Sequence, residues 1–307
     1  MTDQKQPTIA VAIPCYNEAI TIEQVVNDFH SQLPDAAIHV FDNNSTDDSA
    51  QIAQNAGAIV HRVRKQGKGH VLQAIFDTIE ADAVVLVDGD DTYSAEDVHR
   101  LVKPVLDEDV DMVVGNRLPS ASDETMRKHR HLGNKLIVIS INLMFGTKYQ
   151  DILSGYRVFS RRFVKTVPLL TPGFETETEM TLQALEEGMI IEELPISYRS
   201  RPADSHSKLN AVRDGYRIMM TAAILLRDHY PLRLFGVVSF VLLLVVLILL
   251  GLLSLTTQDI LQLNTLSLIA GIALLMLLSV LAFGLGLILN AVNTRFRQLK
   301  QFLQRNR

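Results

Sequence analysis

Residues 84–94 read VVLVDGDDTYS. The run Val84–Val87 is apolar throughout, as a strand covered on both faces requires. It then breaks into Asp88, Asp90 and Asp91 around Gly89. Ser94, with Asp97 three residues later, resembles a capping box with Asp in the acidic position. A helix over Ala95–Leu106 is therefore predicted to follow.

The same unit of strand, polar turn and helix recurs on both sides. Strands are predicted at Ile9–Ile13, Ile38–Phe41, Ile59–Arg62 and Met112–Gly115, and helices at Glu18–Leu33, Thr46–Ala56 and Lys68–Ile79. Ser45 with Asp48 forms a second capping-box pattern, and Gly57 stands where a helix C-cap glycine belongs. This βαβα order predicts an α/β fold with a mostly parallel sheet and helices on both faces. Ligands of such sheets bind beyond the carboxyl ends of the strands. The polar clusters fall there: Pro14-Cys15-Tyr16-Asn17-Glu18, Asp42-Asn43-Asn44-Ser45, Asp88-Gly89-Asp90-Asp91, and Asn116-Arg117.

The 307 residues suffice for one large domain or two smaller ones. A net charge of −5 argues against general nucleic-acid binding, which leaves a basic footprint. The single cysteine, Cys15, excludes an intrachain disulfide and fits a reducing compartment. The opening MTDQKQPT lacks the charged-then-apolar pattern of a signal sequence. No internal repeat is evident.

Composition changes sharply after about residue 230. Phe235–Leu255 and Leu266–Leu289 carry no charge, and each is long enough to cross a hydrocarbon core of ~30 Å. The connecting TTQDILQLN has no Lys or Arg, whereas Arg227 and Arg233 precede the first run and Arg295, Arg297, Lys300, Arg305 and Arg307 follow the second. The positive-inside rule then puts both ends in the cytoplasm. Between soluble part and spans, Val212, Tyr216, Met219, Met220, Ala223, Leu226 and Leu232 interleave with Arg213, Arg217, Arg227 and Arg233. That pattern fits either an amphipathic helix at a membrane surface or a core-packing helix. The expected division is a soluble domain over 1–209, a juxtamembrane helix over 210–233, a two-helix hairpin over 234–290 and a basic tail over 291–307.

Carboxylates two apart in a glycine turn can converge on one hard cation. Mg²⁺ or Mn²⁺ prefers oxygen ligands and keeps substrate phosphates in its shell. Asp88 and Asp90 are the candidates, the alternative being a solvated acidic turn. Asp42 can accept a hydrogen bond from a nucleobase, with Ser45 as the helix cap. Gly67-Lys68-Gly69 offers backbone amides and an ammonium to phosphate, although it lacks the spacing of a P-loop. Glu175, Glu177 and Glu179 suit a helix start. His129, His131 and His206 lack zinc-ligand spacing.

Taken in order, PCYNE, DNNSTDDS, GKG, VDGDD, VGNR, DILSGYRVFSRR and SRPADSHSKL resemble the GT-A glycosyltransferases of the polyprenyl-phosphate sugar synthase group. The resemblance runs from about residue 8 to 220. It includes dolichol-phosphate mannose synthases and bacterial bactoprenol glucosyltransferases, and the two-span tail is similar to the bacterial branch. It implies a Rossmann-like GT-A catalytic domain, a UDP- or GDP-linked sugar donor, and inverting transfer to a polyprenyl phosphate at the cytoplasmic membrane. Undecaprenyl phosphate is the expected acceptor. By position, Pro14, Tyr16, Asn17, Glu18 and Asp42 would serve the nucleotide, Asp88 and Asp90 the diphosphate and metal, and Glu177 the donor sugar. Lys68 would join the donor site.

Asp151 occupies the place of the proposed catalytic aspartate. A phosphate monoester has its second pKa near ~6, so proton abstraction contributes little at neutral pH. Asp151 is then either a base, or a group that orients the acceptor or holds Arg157. Candidates for the acceptor phosphate are Arg117, Arg157, Arg201, Ser207 and Lys208; Arg127 and Arg130 are as readily surface residues. The chain departs from the related pattern at Thr92, where Gln is common, at Asn43-Asn44, and at Asp204. Two other readings stay open: a non-catalytic nucleotide-binding anchor, and a processive polysaccharide synthase. The second is disfavoured by the absence of Trp and by only two spans. Self-association also stays open, since Gly284 and Gly286 alone make no decisive seam.

Overall fold

The computed structural model describes residues 7–107, 109–119, 135, 138–139, 141–143, 145–173, 175–199, 211–255 and 265–305. The chain divides into two compact units, Met1–Ala222 and Ala223–Arg307.

The first unit is built on a seven-stranded sheet of order β3-β2-β1-β4-β6-β5-β7. Its strands are β1 (Ile9–Cys15), β2 (Ala37–Asp42), β3 (Ile59–Arg62), β4 (Ala83–Leu86), β5 (Met112–Asn116), β6 (Arg157–Ser160) and β7 (Ile191–Pro195). The pairs β1–β2, β2–β3, β1–β4 and β5–β7 are parallel, and β6 runs antiparallel between β4 and β5. All five predicted strands are present. Strands β6 and β7 were not predicted, for visible reasons. The first is four residues long and opens on an arginine; the second, IEELP, is a half-exposed edge strand, where charges and a terminal proline are tolerated.

Alternation along the strands makes two cores. Val11, Ile13, Val40 and Val85 point to a layer with Ile22, Val26 and Phe29 of α1 (Ile22–Gln32) and Leu101 and Val102 of α4 (Val98–Asp107). Ala10, Ala12, Val84 and Leu86 face the other layer. There they meet Leu72 and Ile75 of α3 (Lys68–Thr78), Phe163 of α5 (Arg161–Thr166) and Met180 of α6 (Thr176–Glu186). Full burial of each such side chain contributes roughly 1.5–3 kcal/mol. Helix α2 (Ser49–Asn55) closes as expected: Gly57 has φ +95°, its N–H donates to the Gln54 carbonyl, and Ala58 N–H donates to that of Ala53. That is the paired bonding of a left-handed glycine terminus.

The expected caps are corrected. Helix α2 starts at Ser49 with Asp48 in the capping position, and no side chain caps it. Ser45 is instead drawn into the loops at the sheet edge. Ser94 precedes a short 3₁₀ turn, Ala95–Asp97, also without a side-chain cap. The Asp97 carboxylate accepts from Ser197 N–H and Arg100.

Helix α7 (Ala211–His229) runs across the division between the units. Tyr216, Met220 and Ile224 are exposed at successive four-residue steps, beside exposed Arg213 and Arg217. In the second unit, α8 (Pro231–Leu255) and α9 (Thr265–Arg305) pack together. Ser239 and Ser279 hydroxyls lie 3.0 Å apart, and Ser279 Oγ donates to the Ser239 carbonyl at 2.9 Å. Gly286 admits Phe235, whose Cβ would stand 2.9 Å from an added methyl. Pro231–Leu253 and Ser267–Phe296 are long and apolar enough to cross a membrane. Helix α9 continues to Arg305 through most of the stretch expected as a basic tail.

Candidate active site at the carboxyl edge of the sheet

The strand order reverses between β1 and β4, and ligands of open α/β sheets bind beyond the carboxyl ends of the strands at such a point. The β1 loop is laced to the β2 loop. Asn17 N–H donates to Ser45 Oγ at 3.0 Å, Thr46 N–H to Asn17 Oδ1 at 2.7 Å, and Glu18 N–H to Ser49 Oγ at 2.7 Å. Asn17 and Asn44 have φ of 51° and 60°, a left-handed conformation that Asn tolerates better than most residues. Asp42 is buried and accepts Ser45 N–H at 3.1 Å, while Pro14 and Tyr16 are half-buried on the same edge. Asn43, which the sequence showed only within a polar cluster that departs from the related pattern, is the main latch. Its amide donates to the Val63 and Lys65 carbonyls and accepts Gly67 N–H at 2.8 Å.

Glu18 lies apart from Asp42 in what it touches. A methyl on Gly89 would stand 2.5 Å from Glu18 Oε2, so Glu18 rests on the Asp88-Gly89-Asp90 turn. Thr21 fixes that turn by donating to the Gly89 carbonyl at 2.6 Å. Asp90 is buried, and its Oδ1 accepts the N–H and hydroxyl of Thr92. Asp91 has φ +56°, and burial, then Asp28 and Asp90 nearby, raise its carboxyl pKa against the pull of Arg199.

The reading of Gly67-Lys68-Gly69 as a phosphate cradle is corrected. Gly67 N–H is bonded to Asn43 and Gly69 N–H to the Pro172 carbonyl. An added Cβ would meet Pro172 O at 2.3 Å from position 67 and Thr171 O at 1.8 Å from position 69. The glycines thus admit the 171–173 backbone. Lys68 Nζ sits 2.6 Å from Asp88 Oδ1 and 2.7 Å from Glu177 Oε1. Burial works to lower its pKa, but the two carboxylates outweigh it and raise it.

Gly155 joins this half of the site to the next. A methyl there would lie 2.4 Å from Asp88 Oδ2, and its N–H donates to Tyr93 Oη at 3.0 Å. Burial raises the Tyr93 phenol pKa. Four residues earlier, Asp151 is fully buried. Arg117 donates to it from Nε at 2.7 Å, from a terminal nitrogen at 2.8 Å and from its backbone N–H at 3.1 Å. Glu193, on the unpredicted β7, accepts the N–H groups of Gln150 and Asp151. Burial raises the Glu193 pKa, opposed by those N–H donors.

Arg157 is corrected as an acceptor ligand. It is fully buried and donates to the Ser154 and Ile152 carbonyls and to Thr181 Oγ1. Burial lowers its pKa to about 10. Asp151 therefore holds Arg117, and the carbonyls of Ser154 and Ile152 hold Arg157. Arg201, Ser207 and Lys208 lie outside the described residues, as do Arg127, Arg130, Asp204, His129, His131 and His206.

Among the described residues no group of three or more His, Cys, Asp or Glu gathers around one metal position. Asp88 and Asp90 still fit a hard divalent cation. They are oxygen donors flanking one glycine, and Mg²⁺ is commonly bound by one or two carboxylates with substrate phosphates completing its shell.

The profile of glycosyl transferase family 2 matches residues 10–167, and the chain belongs to that family. Glycosyltransferase AglJ of Haloferax volcanii is 35% identical over 233 residues, 76% of each chain. A dolichyl-phosphate hexose transferase of the same organism is 27% identical over 218 residues, 71% of this chain and 93% of the relative. Glucosyl-3-phosphoglycerate synthase of Mycobacterium tuberculosis, solved with Mn²⁺, UDP and phosphoglyceric acid, superposes with a TM-score of 0.59 at 24% identity. That likeness covers 72% of this chain and 78% of the synthase, and it establishes the GT-A fold.

Proposed function

We propose that this chain transfers a hexosyl group, with inversion, from a UDP- or GDP-linked donor to a polyprenyl phosphate, undecaprenyl phosphate in particular. The observation that carries the reading is the Gly155 seam. It sets Asp88, a carboxylate that would hold the metal of a donor diphosphate, beside the segment that carries the Asp151–Arg117 pair.

In this reaction an acceptor phosphate oxygen attacks the anomeric carbon, a new C–O bond forms, and the bond to the nucleoside diphosphate breaks. A dianionic acceptor brings no proton that must be removed. Asp42 and Tyr16 bind the nucleoside on the β1–β2 side. Asp88 and Asp90 would hold Mg²⁺ or Mn²⁺, which supplies charge neutralisation for the departing diphosphate. Both carboxylate oxygens of Asp151 are engaged by Arg117, which favours the orienting role over that of a base. Arg117 then offers a fixed guanidinium to the acceptor phosphate, with Arg201, Ser207 and Lys208 as further ligands.

The two apolar helices anchor the enzyme in the cytoplasmic membrane with residues 1–209 and the C-terminus in the cytoplasm, as the Lys and Arg distribution supports. Exposed Tyr216, Met220 and Ile224, flanked by arginines, lay α7 on the lipid headgroups.

The test is incubation of the purified full chain in detergent with undecaprenyl phosphate, Mg²⁺ or Mn²⁺, and a panel of UDP- and GDP-sugars, read by mass spectrometry of the lipid. A glycosylated lipid phosphate is the expected product. Free sugar without glycolipid, or no turnover of any donor, overturns the proposal.

A further inference from the structure

Lys68 enters the donor half of the site already committed to protein partners. Its ammonium lies 2.6 Å from Asp88 Oδ1 and 2.7 Å from Glu177 Oε1, and its side chain is only 11% exposed. The backbone around it is fixed by the Gly67–Asn43 and Gly69–Pro172 hydrogen bonds. Asp88 is confined on its other side by Gly155, where even one methyl would collide with it. Lys68 and Gly155 together leave the Asp88 carboxylate little freedom.

A lysine paired only with Asp88 would neutralise the group that a divalent cation needs. Glu177 changes that balance. It is 4% exposed, one oxygen meets Lys68, and the other has no hydrogen-bond partner among the described residues. A buried carboxylate so placed is held by the ammonium, since breaking such a pair is strongly unfavourable. Glu177 thereby offsets the positive charge that Lys68 brings to Asp88.

We propose that Lys68 is a positioning residue for Asp88, and that Glu177 acts through Lys68 to keep Asp88 available to a metal–diphosphate. Glu177 is the counter-charge of Lys68, so it sets metal affinity from outside the metal's own ligand set. This rests on the metal and nucleotide assignment made above.

The test uses the full chain in detergent, with free Mn²⁺ followed by electron paramagnetic resonance in the presence of UDP and, separately, GDP. Glu177→Gln is expected to weaken Mn²⁺ binding about tenfold, because one nearby unit charge is lost. Lys68→Met combined with Glu177→Gln restores the charge balance but releases Asp88, and is expected to bind Mn²⁺ more tightly than Glu177→Gln and less tightly than wild type. Wild-type affinity in Glu177→Gln overturns the inference, as does a double variant that binds no better than the single one. Should Glu177→Gln fail to fold, Glu177→Asp replaces it, with a loss of about threefold expected and no loss overturning. If the wild-type chain takes up no Mn²⁺ with either nucleotide, the metal and nucleotide assignment itself falls, and this inference with it.

Discussion

Arg117 grips both oxygens of Asp151, through Nε at 2.7 Å and a terminal nitrogen at 2.8 Å. Such a fork fixes the plane of both groups, which a lysine cannot do. Asp151→Asn removes one charge and half of the acceptor geometry. It is expected to lower kcat/KM about 10²-fold or more, the scale set by misplaced reacting groups. An orienting Asp151 also predicts that Arg117→Lys loses activity comparably, and that residual Asp151→Asn activity keeps the wild-type pH profile. Steady-state kinetics from pH 5.5 to 8.5 check this; loss of an acidic limb in Asp151→Asn would restore the base.

Arg157 separates stability from binding. Its bonds to oxygen end on two backbone carbonyls and one threonine, and a further one ends on the Met112 sulfur. Arg157→Met leaves those acceptors unsatisfied at roughly 1–3 kcal/mol each. The expected result is a clearly lowered thermal midpoint, with the folded fraction keeping its KM for lipid phosphate. A raised KM at unchanged midpoint would return Arg157 to the acceptor site.

Three glycines make a graded series. Gly69→Ala drives a methyl onto backbone at 1.8 Å, so a loss of about 3 kcal/mol or more is expected, beyond ordinary overpacking. Gly188 has φ +66° and open space around it, so Gly188→Ala is expected to cost only about 1 kcal/mol. Gly155→Ala meets the Asp88 carboxylate at 2.4 Å and is expected to suppress turnover more than stability. Denaturant unfolding beside turnover assays ranks the three.

His39 and His61 give stability a dependence on pH. Their rings stack, His39 Nδ1 lies 2.9 Å from His61 Nε2, and His61 stacks on Phe41. Burial lowers both pKa values from the ordinary 6.5, and His61 lowers that of His39 further. The unfolded chain then binds more protons than the folded one just below pH 6.5, so stability rises with pH there. The contribution is present above that value and is lost as pH falls through it. Replacing both histidines with Gln is expected to flatten the decline of thermal midpoint between pH 7 and 5. An unchanged slope would remove the pair from the account.

Much of this fold could be read from the chain, because parallel strands covered on both faces announce themselves as apolar runs. Ile9–Ile13 and Val84–Val87 did so, and the polar clusters after them do share one edge. Strand β7 was hidden because an edge strand can carry Glu192 and Glu193. With it went Glu193, which holds the Asp151 segment. The roles of Gly67 and Gly69 were misread for a different reason. A glycine reports that something approaches closely, and only the tertiary structure says whether that is a phosphate or the carbonyls of Thr171 and Pro172. Lys68 shows the same limit, since its partners come from sequence positions 20 and 109 residues away.

The family profile ends at residue 167, ten positions before Glu177. A truncated protein stopping at that border would keep each aspartate of the VDGDD turn. It would also lose the 171–173 backbone that Gly67 and Gly69 admit, and would leave Lys68 with Asp88 as its one acidic neighbour of the two. On a ribosome, the pocket that the motifs advertise cannot mature until α6 has been translated.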